Sequence, residues 1–303
     1  MSNGVKAIEL THVVQGPGIA NGMTITGKMR LLDGAPAAVD VPLVVAVHGG
    51  AYTSEYFDIP GYSLLDRAAA LAIPIIALDR PGYGGSTPLA PQEATILKNA
   101  EVLDQVIGEL WDTRGAGTSG IVLIGHSIGG AIVTAIAANT PSWPLLGIAV
   151  SGCLLEVPGD SRSAWAALPD IPMIDLPVEM KDSVMFGPEW TYDAGMPQVS
   201  HPSNSLVPRA ELIDITTTWI ESVHATAANV TVPVYSRQGA FDHLWITDTR
   251  QVEDFGAAFI ASPHVDAALL SSAGHCIDFH RVGAGFQLGQ LGFALQCCVT
   301  APE

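Results

Sequence analysis

The chain has 303 residues, 48% hydrophobic and 14% charged, a composition that folds into a globule and excludes a disordered polymer. Thirteen basic against thirty acidic residues leave a formal charge of −17, which repels phosphate backbones and anionic headgroups and sets aside nucleic acid and membrane surfaces as partners. No apolar run reaches the roughly eighteen residues of a membrane span, and residues 1–11 carry no secretory pattern, so a cytoplasmic protein is expected.

In chain order, two β-rich runs come first, β1 (Ala7–Val14) and β2 (Met23–Leu32), separated by glycine-rich turn signals that predict an antiparallel pair. Short, almost continuous apolar runs follow at β3 (Leu43–Val47), β4 (Ile73–Leu78), β5 (Ile121–Ile124), β6 (Leu145–Val150), β7 (Val232–Tyr235) and β8 (Val265–Leu270). Runs without alternation fit strands buried on both faces, as in a parallel sheet covered by helices. Between them, Ile96, Ala100, Leu103, Ile107 and Leu110 mark one face of an amphipathic helix, and Leu288, Leu291, Leu295 and Cys298 mark another. Alternating strands and helices predict an α/β fold with a mostly parallel, doubly wound sheet.

One segment breaks the pattern. Leu155 to Pro208 holds eight prolines, four of the seven methionines, and Trp165 and Trp190, without a clean period. That proline density excludes long helices and central strands, while a structureless loop of that length is improbable in a compact domain. The expectation is an inserted lid of short helices and turns between β6 and β7. Residues 1–151 and 229–303 would then form the two parts of the core, with the lid at 152–228. Its methionines and tryptophans would line an apolar pocket suited to a medium-sized hydrophobic group.

The most informative stretch is Gly125-His126-Ser127-Ile128-Gly129, at the junction of β5 and a helix of small residues running through Ile136. Gly-x-Ser-x-Gly at such a junction is a nucleophile elbow. The turn is so tight that the residues two away from the serine must lack a Cβ. The serine hydroxyl then stands clear of the sheet, and the following N–H, that of Ile128, opens the helix toward developing negative charge.

Together with His48-Gly49-Gly50-Ala51 after β3 and Asp79-Arg80-Pro81-Gly82-Tyr83-Gly84-Gly85-Ser86 after β4, the elbow resembles the α/β-hydrolase fold superfamily, from about residue 40 to the end with the proline-rich insertion excepted. The resemblance implies Ser127 as nucleophile and backbone N–H groups of Gly50 or Ala51, with Ile128, as an oxyanion hole. His275, after β8, stands where the superfamily keeps its base. Asp242, in Gly239-Ala240-Phe241-Asp242 after β7, stands at the position of the acid, and the order Ser127, Asp242, His275 is the one this fold requires. Glu156, after β6, is the alternative acid, and Asp278 is a competitor by its closeness to His275. Tyr52, His243, Trp165 and Trp190 are candidates for the pocket wall.

Gly115-Ala116-Gly117-Thr118-Ser119-Gly120 has dinucleotide spacing but precedes a strand instead of following one, so it is no nucleotide cradle. No sequence motif for a metal occurs, the four cysteines read as buried thiols, and the chemistry needs no cofactor. The expected function is a serine hydrolase acting through an acyl-enzyme on a carboxylic ester, thioester or lactone, with a small-molecule acyl substrate. An acyltransferase or lactone-forming cyclase, a triad-based lyase and a non-catalytic ligand receptor are the alternatives.

Overall fold

The computed structural model describes residues 7–31 and 41–299. Eight strands form one twisted sheet: β1 (Ile8–Val13), β2 (Thr24–Arg30), β3 (Leu43–Val47), β4 (Ile75–Leu78), β5 (Ile121–His126), β6 (Leu145–Ser151), β7 (Val234–Gly239) and β8 (Val265–Leu270). Their spatial order is β1-β2-β4-β3-β5-β6-β7-β8. The pairs β1/β2 and β2/β4 are antiparallel, and every other neighbouring pair is parallel. Leu32, the expected end of β2, lies outside the described residues.

The continuous apolar runs work as expected in the centre of the sheet. All five residues of β3 are buried; Leu43, Val45 and Val47 pack into one layer, and Val44 and Ala46 into the other. Helices Ile96–Arg114, Ile128–Ala138, Thr218–Ala227 and Thr249–Ala257 cover the first face, and Leu64–Ala70 and Gly283–Gln296 the second. All five periodic residues from Ile96 to Leu110 are buried, and Thr95 caps that helix by accepting the Lys98 N–H at 3.2 Å.

Two expectations need correction. β8 is only half-buried along its whole length, because it is the edge of the sheet and has a neighbour on one side alone. In the C-terminal helix Leu288 is 48% exposed; the face that packs is carried by Phe286, Leu291, Phe293 and Ala294, with Gln287 and Gln290 buried beside them. β7 is also shifted, running Val234–Gly239 where Val232–Tyr235 was expected, because its ladder with β8 continues to Gly239 opposite Leu270. Arg237 within it lays its guanidinium over the Tyr235 ring at 3.9 Å and pairs with Asp266 at 2.8 Å.

Between β6 and β7 the chain forms short helices, Ser161–Ala166, Val178–Met185, Met196–Ser200 and Arg209–Asp214, before the longer Thr218–Ala227. A two-residue antiparallel pairing of Met173–Ile174 with Val207–Pro208 closes this insertion on itself. Pro177 and Pro208 stand immediately before the helices Val178–Met185 and Arg209–Asp214, and Pro197 lies in the first turn of Met196–Ser200, where a missing N–H is tolerated.

Candidate active site

Ser127 sits between β5 and the helix Ile128–Ala138 with φ 55° and ψ −123°, a backbone conformation that a residue with a side chain adopts only when its surroundings impose it. The surroundings are visible. Ser127 N–H donates to the Ser151 carbonyl at 2.7 Å, tying the turn to the end of β6. A β-carbon on Gly125 would lie 2.5 Å from the Gly129 carbonyl oxygen, and one on Gly129 would lie 2.1 Å from that of Val47. Both glycines of the Gly-x-Ser-x-Gly pattern are therefore demanded by close backbone approach.

Asp242 and His275 come from adjacent strand ends. A β-carbon on Gly239 would meet the Gly274 carbonyl oxygen at 2.2 Å, so the loops after β7 and β8 are pressed together at this glycine. His275 Nδ1 and Asp242 Oδ2 are 2.7 Å apart, with both side chains buried. The other carboxylate oxygen accepts the Leu244 N–H at 2.8 Å, and Oδ2 also accepts Gln238 Nε2 at 2.6 Å, so the acid is held in one orientation by three groups. On its far side the imidazole packs against Gly152, where a β-carbon would come within 3.0 Å of His275 Cε1. Gly152 follows Ser151, the residue that receives the Ser127 N–H. Serine and imidazole thus flank the same two residues at the end of β6. Among the described residues neither Ser127 Oγ nor His275 Nε2 has a hydrogen-bond partner, which leaves both atoms available to a third group.

Ser127, Ile128, Gly50 and Ala51 line one cavity. As the first residue of its helix, Ile128 has no intrahelical acceptor for its N–H. Ala51 has φ 59°, a left-handed conformation unusual for alanine. The rest of the wall is mostly apolar: Val157, Trp165, Leu176, Met185, Leu212 and Ile215 from the segment between β6 and β7, with Thr216 a polar member beside them, and Leu244 and Trp245 from the segment after Asp242. Of the expected pocket residues, Trp165 is there. Trp190 is 59% exposed and packs edge-on against Phe241, and His243 is exposed beside a separate surface cleft. Tyr52 lies under the loop with its hydroxyl 3.3 Å from Cys276 Sγ. The competing acids are elsewhere: Glu156 is exposed, and Asp278 is engaged by Tyr56 Oη at 2.8 Å and Gln287 Nε2 at 2.6 Å.

Buried charges that the sequence did not single out surround the loop after β3. Arg80 and Glu211 are fully buried and meet in a two-pronged ion pair at 2.7 and 2.9 Å. Tyr83 Oη donates to Glu211 Oε2 at 2.8 Å, and the same arginine donates to the carbonyls of His48 and Gly49. The Arg80 N–H in turn donates to His48 Nε2 at 3.1 Å. Burial, then the nearby Arg80 charge, hold His48 well below its ordinary range and therefore neutral. His126, behind Ser127, is neutral for the same first cause and stacks on Tyr56 at 4.7 Å. Among the described residues no group of three or more His, Cys, Asp or Glu is arranged to hold a metal, and no helix is long and apolar enough to cross a membrane.

Comparison with known proteins places this arrangement in context. Residues 44–283 match the model of the "Alpha/beta hydrolase family". Comparison with curated protein sequences finds no match. Among solved structures, a thermophilic esterase from Thermogutta terrifontis superposes with a TM-score of 0.69 at 15% identity, covering 96% of this chain and 100% of its own. E-2-(acetamidomethylene)succinate hydrolase gives 0.67 at 16%, covering 96% and 100%. A haloalkane dehalogenase variant from Bradyrhizobium elkanii gives 0.63 at 15%, covering 97% and 98%. At such identities the likeness is one of fold, and chemistry has to be argued from the site.

Proposed function

The chain belongs to the alpha/beta hydrolase family, and on that footing we propose that it is a serine hydrolase of carboxylic esters or thioesters with a short apolar acyl group. The observation that carries this reading is the 2.7 Å contact between buried His275 Nδ1 and Asp242 Oδ2, with the imidazole packed beside the strained turn that holds Ser127. In the proposed reaction His275 Nε2 takes the proton of Ser127 Oγ as that oxygen bonds to the acyl carbon. Asp242 orients the imidazole and stabilises its cation without accepting the proton. Negative charge gathering on the carbonyl oxygen is met by the N–H of Ile128 with that of Gly50 or Ala51, one such donor being worth about 3 kcal/mol of barrier. His275 then returns the proton to the leaving group, and a water activated by the same imidazole releases the acid. A serine at the elbow, in place of an aspartate, favours this course over alkyl displacement.

The insertion at 152–228 acts as the lid of this site and sets its acyl specificity. The cavity as it stands holds about 50 Å³, well short of the roughly 300–1,000 Å³ of ordinary ligand pockets. With the lid in this position Trp165, Met185, Leu212 and Trp245 line the pocket closely, which favours short acyl groups over the medium-sized one that the methionine and tryptophan content implies.

A series of p-nitrophenyl esters of increasing chain length tests the proposal. The highest kcat/KM is expected from acetyl to butyryl, with a fall of about tenfold or more by octanoyl, each lost methylene contact or clash being worth ~1–3 kcal/mol. Rates rising through octanoyl sink the size assignment, and no hydrolysis of any member sinks the function.

A further inference from the structure

The loop that carries Gly50 and Ala51 is held by cations at three of its carbonyls. Arg80 Nε donates to His48 O at 2.9 Å and Arg80 Nη2 to Gly49 O at 3.1 Å. Lys181 Nζ, from the insertion helix Val178–Met185, donates to Ala51 O at 2.5 Å. Arg80 has a counter-ion in Glu211. Lys181 meets neutral groups instead: its other acceptor is Asn204 Oδ1 at 2.5 Å, and its ammonium lies 3.5 Å from the centroid of the Tyr52 ring. The side chain is only 3% exposed. An ammonium buried among carbonyls and a ring, with no carboxylate in contact among the described residues, is a costly choice for stability alone.

Its seat explains the choice. Ala51 is the residue with φ 59° at the mouth of the cavity, so its conformation has to be imposed from outside. The same carbonyl also accepts the Ser205 N–H at 3.1 Å, Thr53 N–H donates to Ser203 O at 2.9 Å, and Tyr52 bridges Asn204 in antiparallel fashion. Residues 203–205 of the insertion therefore run along the loop as a strap, and Lys181 is the charged pin through it. On the Arg80 side, the planar trans peptide makes the Gly50 N–H point opposite to the Gly49 carbonyl that Arg80 holds.

We infer that Lys181 is a positioning residue, which fixes Ala51 and thereby aims the oxyanion donors only while the insertion is docked. The inference rests on the serine-hydrolase reading above. Lys181 acts through the Ala51 carbonyl and touches no reacting atom.

The clamp titrates. Burial brings the Lys181 ammonium down to about 7, against the opposing influence of Cys276 and Asp182. The groups facing it are Tyr52 and His48 from the loop after β3, Cys276 from the segment after β8, and Asp182 on its own helix. Burial raises the Tyr52 hydroxyl and the Cys276 thiol and lowers His48, so all three are neutral near pH 7. Asp182 is engaged by His201 Nε2 at 3.0 Å. The pin is therefore charged below about pH 7 and loses its charge above it. An unfolded lysine keeps its proton to about pH 10.4, so between these limits the unfolded chain binds the extra proton. Stability then rises with pH relative to a variant that lacks the group.

Wild type, Lys181→Met, Lys181→Arg and Ser127→Ala are to be compared in p-nitrophenyl acetate hydrolysis and in thermal unfolding across neutral and mildly alkaline pH. Lys181→Met is expected to lower kcat by about ten- to a hundredfold, within the range for loss or misplacement of one oxyanion donor, with KM little changed. Lys181→Arg, which keeps a cationic donor beside the Ala51 carbonyl, is expected to recover most of that loss. The melting-temperature difference between wild type and Lys181→Met shifts in favour of wild type as pH rises above 7. Wild-type kcat in Lys181→Met, while Ser127→Ala is inactive, overturns the inference and leaves the serine reading standing. Full turnover by Ser127→Ala overturns the serine reading itself, and with it the catalytic meaning of the clamp. If the methionine variant does not fold, Lys181→Gln decides: a lowered kcat at unchanged KM supports the clamp, and wild-type kcat overturns it.

Discussion

Replacing Ser127 with alanine is expected to lower kcat for p-nitrophenyl acetate by about 10⁵- to 10⁶-fold, and replacing Asp242 with asparagine by about 10⁴-fold, both with little change in KM. The first figure follows because every bond-making step in the proposed reaction passes through Ser127 Oγ. The second follows from the tautomer. Asp242 Oδ2 accepts from His275 Nδ1 at 2.7 Å, which leaves Nε2 unprotonated and able to take the serine proton. An asparagine amide in the same place keeps its carbonyl for the Leu244 N–H that Asp242 Oδ1 now accepts at 2.8 Å and turns its NH₂ toward Nδ1. The Gln238 amide flips, so that its Oε1, without a partner among the described residues, accepts from that NH₂. The imidazole proton then moves to Nε2, and the base is lost with the geometry intact. Steady-state kinetics checks both; an Asp242→Asn enzyme within tenfold of wild type would assign the acid's role to another residue.

The second large effect is on folding. Glu211→Leu leaves the Arg80 guanidinium fully buried without its counter-ion and deprives the Tyr83 hydroxyl of its acceptor. Breaking a buried pair in this way costs about 3–5 kcal/mol, to be read as a drop in the denaturation midpoint at unchanged slope. Replacing both partners, Arg80→Met with Glu211→Leu, is expected to recover part of the loss, since an apolar pair removes the stranded charge. Recovery stays incomplete because Arg80 also holds the His48 and Gly49 carbonyls. A loss below about 1 kcal/mol in the single variant would mean that the pair is solvated in solution.

The sheet was legible because its central strands are buried on both faces and its helices have clean periods. β3, β5 and β6 read correctly as unbroken apolar runs, and Ile96 to Leu110 as a helical stripe. β8 carried the same kind of run yet is an edge, since apolar content reports chemistry and not the number of neighbours. The pairing of Asp242 with His275 was implied by the family resemblance alone; the structure adds the physical reason, since strand order brings the loops after β7 and β8 together and Gly239 lets them touch.

Side-chain direction within a turn was not legible. His243 follows Asp242 directly but faces solvent, while Leu244 and Trp245, one and two residues further on, line the cavity; Trp190, expected in the pocket wall, is exposed as well. A turn residue's direction is set by backbone angles that residue type alone does not dictate at such positions. Nor were Arg80, Lys181 and Glu211 visible as structural elements, because charged residues are normally exposed and only tertiary pairing marks the buried exceptions. The cluster Asp79-Arg80-Pro81-Gly82-Tyr83 pointed to the family, but its partner Glu211 lies 131 positions from Arg80 in an insertion without periodicity.

The most direct test of the account is to quench a rapid reaction with p-nitrophenyl acetate in acid and locate the acyl group by peptide mass spectrometry. The account predicts one acetyl group per chain, attached to Ser127, formed in step with an initial release of p-nitrophenol. Sustained hydrolysis with Ser127 unmodified, or the acetyl group on a different residue in both wild type and Ser127→Ala, would contradict it.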